Sequence, residues 1–191
     1  RNARCVVYTG NFEPYQGVEL LVRAAARLPP ACNDVRIVLA GGQPNQIGEL
    51  QALARQVGAA ERCVFAGSQP PHEMTAFLTL AHVLVSPRCR GRNPPMKIYT
   101  YMQAGRPIVA TRVPTHTQVL DDEIALLAAP EPAALADAMA TALDDSARAA
   151  RIAAAALERF EREYSPARFR ERIVGAVGRL ASPQRSRPAP G

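Results

Sequence analysis

CVVYTGNFEPYQGVELLVRAAARL, Cys5–Leu28, sets the terms of the fold. Its first six residues are an apolar run closed by Gly10, the pattern of a strand buried on both faces. Past Gly17 the period changes, and Val18, Leu21, Ala25 and Leu28 fall on one helical face. A buried strand, a glycine-bounded loop and an amphipathic helix make one repeat unit of an α/β sheet.

The unit recurs toward the C-terminus. VRIVLAGG (Val35–Gly42) reads as a second strand, followed by a helix with Ile47, Leu50, Ala54 and Val57 on one face. CVFAG (Cys63–Gly67) is a third strand, with Met74, Phe77, Leu78 and Ala81 marking the next helix. HVLVSP (His82–Pro87) is a fourth, PIVAT (Pro107–Thr111) a fifth and IALLAA (Ile124–Ala129) a sixth. A short helix over Lys97–Ala104 stops at Gly105. Further helices start at Pro132, run from about Ser146 to Arg162, and begin again at Ser165-Pro166. The last of these sets Phe169, Ile173, Val177 and Leu180 on one face. Apolar strands alternating with helices predict a Rossmann-like three-layer α/β/α fold with a six-stranded parallel sheet over residues 1–181. Residues 182–191 are polar and proline-rich, the composition of a disordered tail.

Bulk composition narrows the classes. At 191 residues with 48% hydrophobic and 21% charged residues, the chain is long enough for one packed domain. It has no run of about 18 uncharged apolar residues, so no membrane-spanning helix is expected. It starts without Met and enters a strand at once, as a fragment lacking its natural N-terminal portion would. Cys5, Cys32, Cys63 and Cys89 form no C-x-x-C pair, and His72, His82 and His116 are scattered. The expectation is reduced thiols in a cytoplasmic protein with no metal site, Cys5 and Cys63 being small core residues of strands. Cys89, in a basic loop, is an ordinary loop thiol or a more reactive one.

A net charge of +6 suits an anionic partner. Open parallel sheets bind ligands outside the carboxyl ends of their strands. In this chain those ends carry the loops Gly10–Gly17, Gly41–Gln46, Gly67–Pro71, Pro87–Met96 and Thr111–His116. The fourth loop, with Arg88, Arg90 and Arg92, leads into Lys97, the only lysine in the chain. If the loop is extended, those three arginines point to one side. Pro94 and Pro95 cannot donate, so the free N–H groups at the helix start fall to Met96, Lys97 and Ile98. A first-turn lysine opposes the helix dipole unless an anion is bound there, which makes this start a phosphate site. Tyr99, Tyr101 and Met102 read as helix packing, Glu13 as solvent-facing, His116 as structural, and Arg106 and Arg112 as solvent charges.

Three ordered segments, YTGNFEPYQGVELLVRAA, VFAGSQPPHEMTAFLTLAHVLVSPR and KIYTYMQAGRPIVAT, continue into HTQVLDDEIALLAAPEPAALADAM. Over residues 5–145 the chain resembles family 4 glycosyltransferases, specifically the C-terminal, sugar-nucleotide-binding half of their two-domain GT-B architecture. The resemblance implies a site for a nucleotide-diphosphate sugar donor, no metal, and sugar transfer with retention. It implies that Gly10, Asn11, Gln16 and Gly17 approach the diphosphate, and that Ser68 and Gln69 lie near the nucleobase. It implies that Met96 and Lys97 offer helix N-terminal amides to phosphate and that Thr100 falls at the ribose, and Arg88, Arg92 and Asn93 of the fourth loop complete the expected donor-binding set. Catalytic residues are not assigned. Arg92 and Thr100 stand where the family has two acids, and Asn11 and Gln16 where it has an arginine and a lysine. The implied partners are the nucleotide-sugar donor and an absent N-terminal acceptor domain, against which the closing helix packs. Peripheral membrane association of the whole protein stays open. A degenerate, non-catalytic nucleotide- or protein-binding domain is the alternative. Nucleic acid is not expected, because the basic residues form no aromatic-interleaved patch or known module.

Overall fold

The computed structural model describes residues 3–181. Residues 182–191, expected to be disordered, lie outside the described residues. Six strands form one sheet: β1 (Arg4–Thr9), β2 (Val35–Ala40), β3 (Cys63–Gly67), β4 (Val83–Ser86), β5 (Ile108–Thr111) and β6 (Leu126–Ala128). Every pairing is parallel, and the spatial order is β3-β2-β1-β4-β5-β6. The chain therefore winds outward from β1 in one direction and from β4 in the other, which puts a topological switch point between β1 and β4.

Alternation along the strands divides the core into two layers. Val6, Tyr8, Ile37, Leu39, Val83 and Val85 pack with Leu21 and Val22 of α1 (Val18–Ala25) and with Leu135 and Met139 of α6 (Pro132–Asp144). Val7, Leu84, Ile108 and Ala110 face the other way, onto Ile98, Tyr101 and Met102 of α4 (Lys97–Gln103) and Phe160 of α7 (Ser146–Glu163). Helices α2 (Pro44–Gln56), α3 (Met74–Leu80), the short α5 (Pro114–Thr117) and α8 (Pro166–Ala181) complete the described chain. Among the described residues no helix is long and apolar enough to cross a membrane.

Four local expectations change. The fourth strand is shorter than His82–Pro87, because His82 is exposed and caps β1: its N–H donates to Cys5 O, and its Nδ1 accepts from Cys5 N–H. The sixth excludes Ile124 and Ala125, whose N–H groups close a turn on Asp121 O. The Thr111–His116 loop contains α5, started by Pro114 at a position that needs no N–H. Cys63 is only half-buried, since β3 is an edge strand and exposes Val64 as well.

Candidate functional site

The loops after β1 and β4 meet at the switch point. Tyr8, at 0% exposure, lies under both and donates its hydroxyl to Asn11 O at 2.6 Å, fixing the start of the first loop. Thr9 N–H donates to Tyr101 Oη at 2.9 Å, which ties the end of β1 to α4. Gly17, at φ +72°, faces Pro87 O so closely that any Cβ would overlap it. Cys89 N–H donates to Tyr15 O at 3.0 Å, so the two loops are joined through their backbones.

Lys97 reaches back into this junction. Its Nζ stands 3.8 Å from the centroid of the Tyr8 ring and donates to Gln16 Oε1 at 3.3 Å. A side chain on Gly10 would meet that same Nζ. The sequence predicts an exposed first-turn lysine. Instead Lys97 is half-buried, with its ammonium over an aromatic face. Burial, with the Arg88 charge adding to it, pulls its pKa down to about 7. Arg88 packs 5.0 Å over the Tyr15 ring and donates from Nε to Arg90 O. Among the described residues neither cation forms an ion pair with a carboxylate. Arg88 is near enough for its charge to lower the Lys97 pKa.

Beside the junction is a cavity of about 380 Å³ lined by Gly10, Asn11, Gly41, Gly42, Ser68, Gln69 and Met74. The structure thus joins Gly10, Asn11, Ser68 and Gln69 in one hollow, which Glu13 also lines; Lys97 stands against Gly10 with Gln16 as its hydrogen-bond partner, while Gly17 and Arg88 sit at the junction of the two loops. Thr100 is set apart: it is exposed and lines a different depression with Thr75, Thr79, Gln103 and Arg106. Arg92 and Asn93 are exposed, and Arg92 O accepts from Gln118 Nε2 at 2.9 Å.

Arg88, Arg90 and Arg92 would share a side only in an extended segment, and the loop is not one. The loop turns at Gly91 (φ +132°), where Arg88 folds back on it. Ile98 N–H is not free either, since it donates to Pro95 O, which leaves Met96 and Lys97 N–H at the edge. Burial raises the Cys89 thiol pKa, and Cys89 Sγ donates to Pro87 O, so it is no activated nucleophile. Glu13 accepts from Gln46 Nε2, while Arg112 pairs with exposed Asp122. Among the described residues no three His, Cys, Asp or Glu side chains gather as a metal site.

The sequence reading missed Tyr8, the platform under Lys97, and the polar contacts of His116. Tyr8 carried a signal in its inward register between Val7 and Thr9. His116 carried none, because its partners Ser86 and Thr111 come from two different strands.

Residues 3–145 match the family described as Glycosyl transferases group 1. The D-inositol 3-phosphate glycosyltransferase of Acidothermus cellulolyticus is 32% identical over 156 residues, covering 76% of this chain and 35% of that protein. A GDP-mannose-dependent phosphatidylinositol monomannoside mannosyltransferase of Mycolicibacterium smegmatis is 32% identical over 114 residues, 56% of this chain and 29% of the relative. Among solved structures, Anabaena HepE in complex with UDP superposes with a TM-score of 0.84 at 20% identity, covering 94% of this chain and 50% of that one. Sucrose-phosphate synthase from Thermosynechococcus elongatus gives 0.81 at 23%, with 94% and 46% covered. The chain spans little more than a third of the length of the first of these relatives and half that of HepE.

Proposed function

Because the chain belongs to the glycosyl transferases group 1 family, we propose that it forms the donor-binding part of an enzyme moving a sugar from a nucleotide diphosphate to an acceptor. One observation carries this reading: Lys97, without a carboxylate partner among the described residues, stands against Gly10 of the cavity at the switch point, with Arg88 near enough to lower its pKa. A desolvated cation has lost its hydration and gains most from an anion. A diphosphate supplies that anion, and its leaving-group charge would be stabilised there during transfer without a metal. HepE, in complex with UDP and with UDP-glucose, supports the same ligand class.

In this reading Ser68 and Gln69 line the base end of the cavity, and Gly10 and Asn11 the phosphate end. The acceptor belongs to a further domain of the whole protein, and retention follows from the family resemblance. A second reading, nucleotide binding without transfer, is favoured by one feature: Arg92 and Thr100 stand at the family's acid positions, and neither lines the cavity.

Calorimetric titration with uridine, guanosine and adenosine diphosphates, their sugars and the bare nucleosides tests the proposal. At least one diphosphate should bind. Lys97→Met should weaken it about tenfold to a hundredfold, the loss of a charge-assisted contact, and leave the nucleoside nearly unchanged. Equal weakening of both ligands, or no diphosphate binding at all, would overturn the assignment.

A further inference from the structure

The carboxyl ends of β4 and β5 hold a buried polar chain. Ser86, Thr111 and His116 are each at 0% exposure. His116 Nδ1 is 2.8 Å from Thr111 O and 3.1 Å from Thr111 Oγ1, and His116 Nε2 is 2.9 Å from Ser86 Oγ. A carbonyl only accepts, so Nδ1 carries the ring proton. The single hydroxyl proton of Thr111 is given to Arg88 O, so toward Nδ1–H that hydroxyl also accepts. Nε2 keeps its lone pair and accepts from Ser86. Burial holds the ring neutral, with its pKa lowered to about 4. The donors therefore run in one direction, from Ser86 through His116 and Thr111 to the backbone of Arg88.

Arg88 O is the first anchor of the 87–96 loop. Cys89 N–H on Tyr15 O and Gln118 Nε2 on Arg92 O are others, but the Thr111 donor is itself braced from behind by a buried ring. What it fixes is the stem from which the Arg88 guanidinium crosses Tyr15 of the first loop. An apolar trio at positions 86, 111 and 116 would fill the space without desolvating three polar groups. A fixed direction is what the polar trio adds.

We propose that Thr111 and His116 are positioning residues of the anion site, touching no ligand but holding the Arg88 backbone so that Arg88 and Lys97 stay gathered at the switch point. This rests on the donor-binding reading above.

The test uses residues 1–191 with Thr111→Val, which keeps the shape and removes the hydroxyl, and Thr111→Ser, which keeps the hydroxyl. Amide hydrogen exchange at Cys89 reads the loop, and titration with uridine or guanosine diphosphate reads the site. Thr111→Val should speed Cys89 exchange, and weaken diphosphate binding by about threefold to tenfold, the range for one lost hydrogen bond. Thr111→Ser should restore most of both. Unchanged exchange and affinity in Thr111→Val would overturn the proposal, as would equal losses in Thr111→Ser. If exchange responds while the parent chain binds no diphosphate, the tether stands and the donor reading falls, and with it the anion-site role. Should Thr111→Val fail to fold, Ser86→Ala is the second variant. Faster Cys89 exchange there supports the relay, and parental exchange overturns it.

Discussion

At the scale of single residues, Lys97 sets site against stability. Its ammonium has the Tyr8 ring and one amide oxygen where water would otherwise be. Among the described residues Arg88 is the charged group that influences it, and it repels. The folded-state pKa of about 7 lies below the ordinary value of 10.5. Between those values the unfolded chain holds more protons, so stability rises with pH across that window. Below about pH 7 both states keep the proton and the penalty is constant. Lys97→Met, similar in volume and uncharged, should therefore stabilise the unliganded chain, by as much as a few kcal/mol near neutrality. The gain should shrink from pH 7 toward pH 10. Urea unfolding of both proteins at pH 6.5, 8 and 9.5 checks the size and the trend. A gap that stays constant with pH would mean the lysine is solvated in solution. Sequence alone singled out Lys97 by its rarity, but its burial depends on Tyr8, 89 positions away, and no local pattern encodes that.

At the scale of elements, legibility follows locality. Each of the six strands announces itself as an apolar run, and most end at a glycine or turn residue, because parallel strands are covered on both faces. That β3 is an edge strand could not be read, since edge position depends on chain winding and not on β3 itself. The four-residue α5 is too short for periodicity to show. The 87–96 loop takes its course from bonds to Tyr15, Thr111 and Gln118, all distant in sequence, so its path could not be read from the loop itself. Helix α8 is the reverse case, with a local pattern that is plain and a partner that is not. Its Phe169, Ile173 and Val177 recur every four residues yet are 64%, 47% and 57% exposed. Phe160 on α7 is buried at 6%. Phe160→Ala should cost about 3–5 kcal/mol in urea unfolding, and Ile173→Ser less than about 0.5. A comparable loss for Ile173→Ser would show that α8 packs on this domain in solution.

At the scale of the whole molecule, the question is how much of a transfer reaction a donor-binding domain can carry out alone. The anion site occupies one edge of one sheet, and its outer loop is open: Met96, next to Lys97, is 78% exposed, and residues 90–93 are exposed too. In the proposed reading, binding a nucleotide needs only the cavity and the two cations. Transfer needs more, because the acceptor hydroxyl must be held within about 3–3.5 Å of the anomeric carbon and competing water kept out. In the proposed reading residues 3–181 supply the donor side alone, and the chain spans 35% of one relative and 50% of HepE. Residues 1–191 should therefore bind a nucleoside diphosphate yet transfer no sugar. The check is mass spectrometry of reactions containing the best-binding nucleotide sugar and a panel of polyol, inositol phosphate and lipid acceptors. Slow release of free sugar is compatible with this outcome, since a bound donor remains open to water. A defined glycosylated product would refute it, because one Rossmann-like domain would then be completing a reaction that the proposal divides between two.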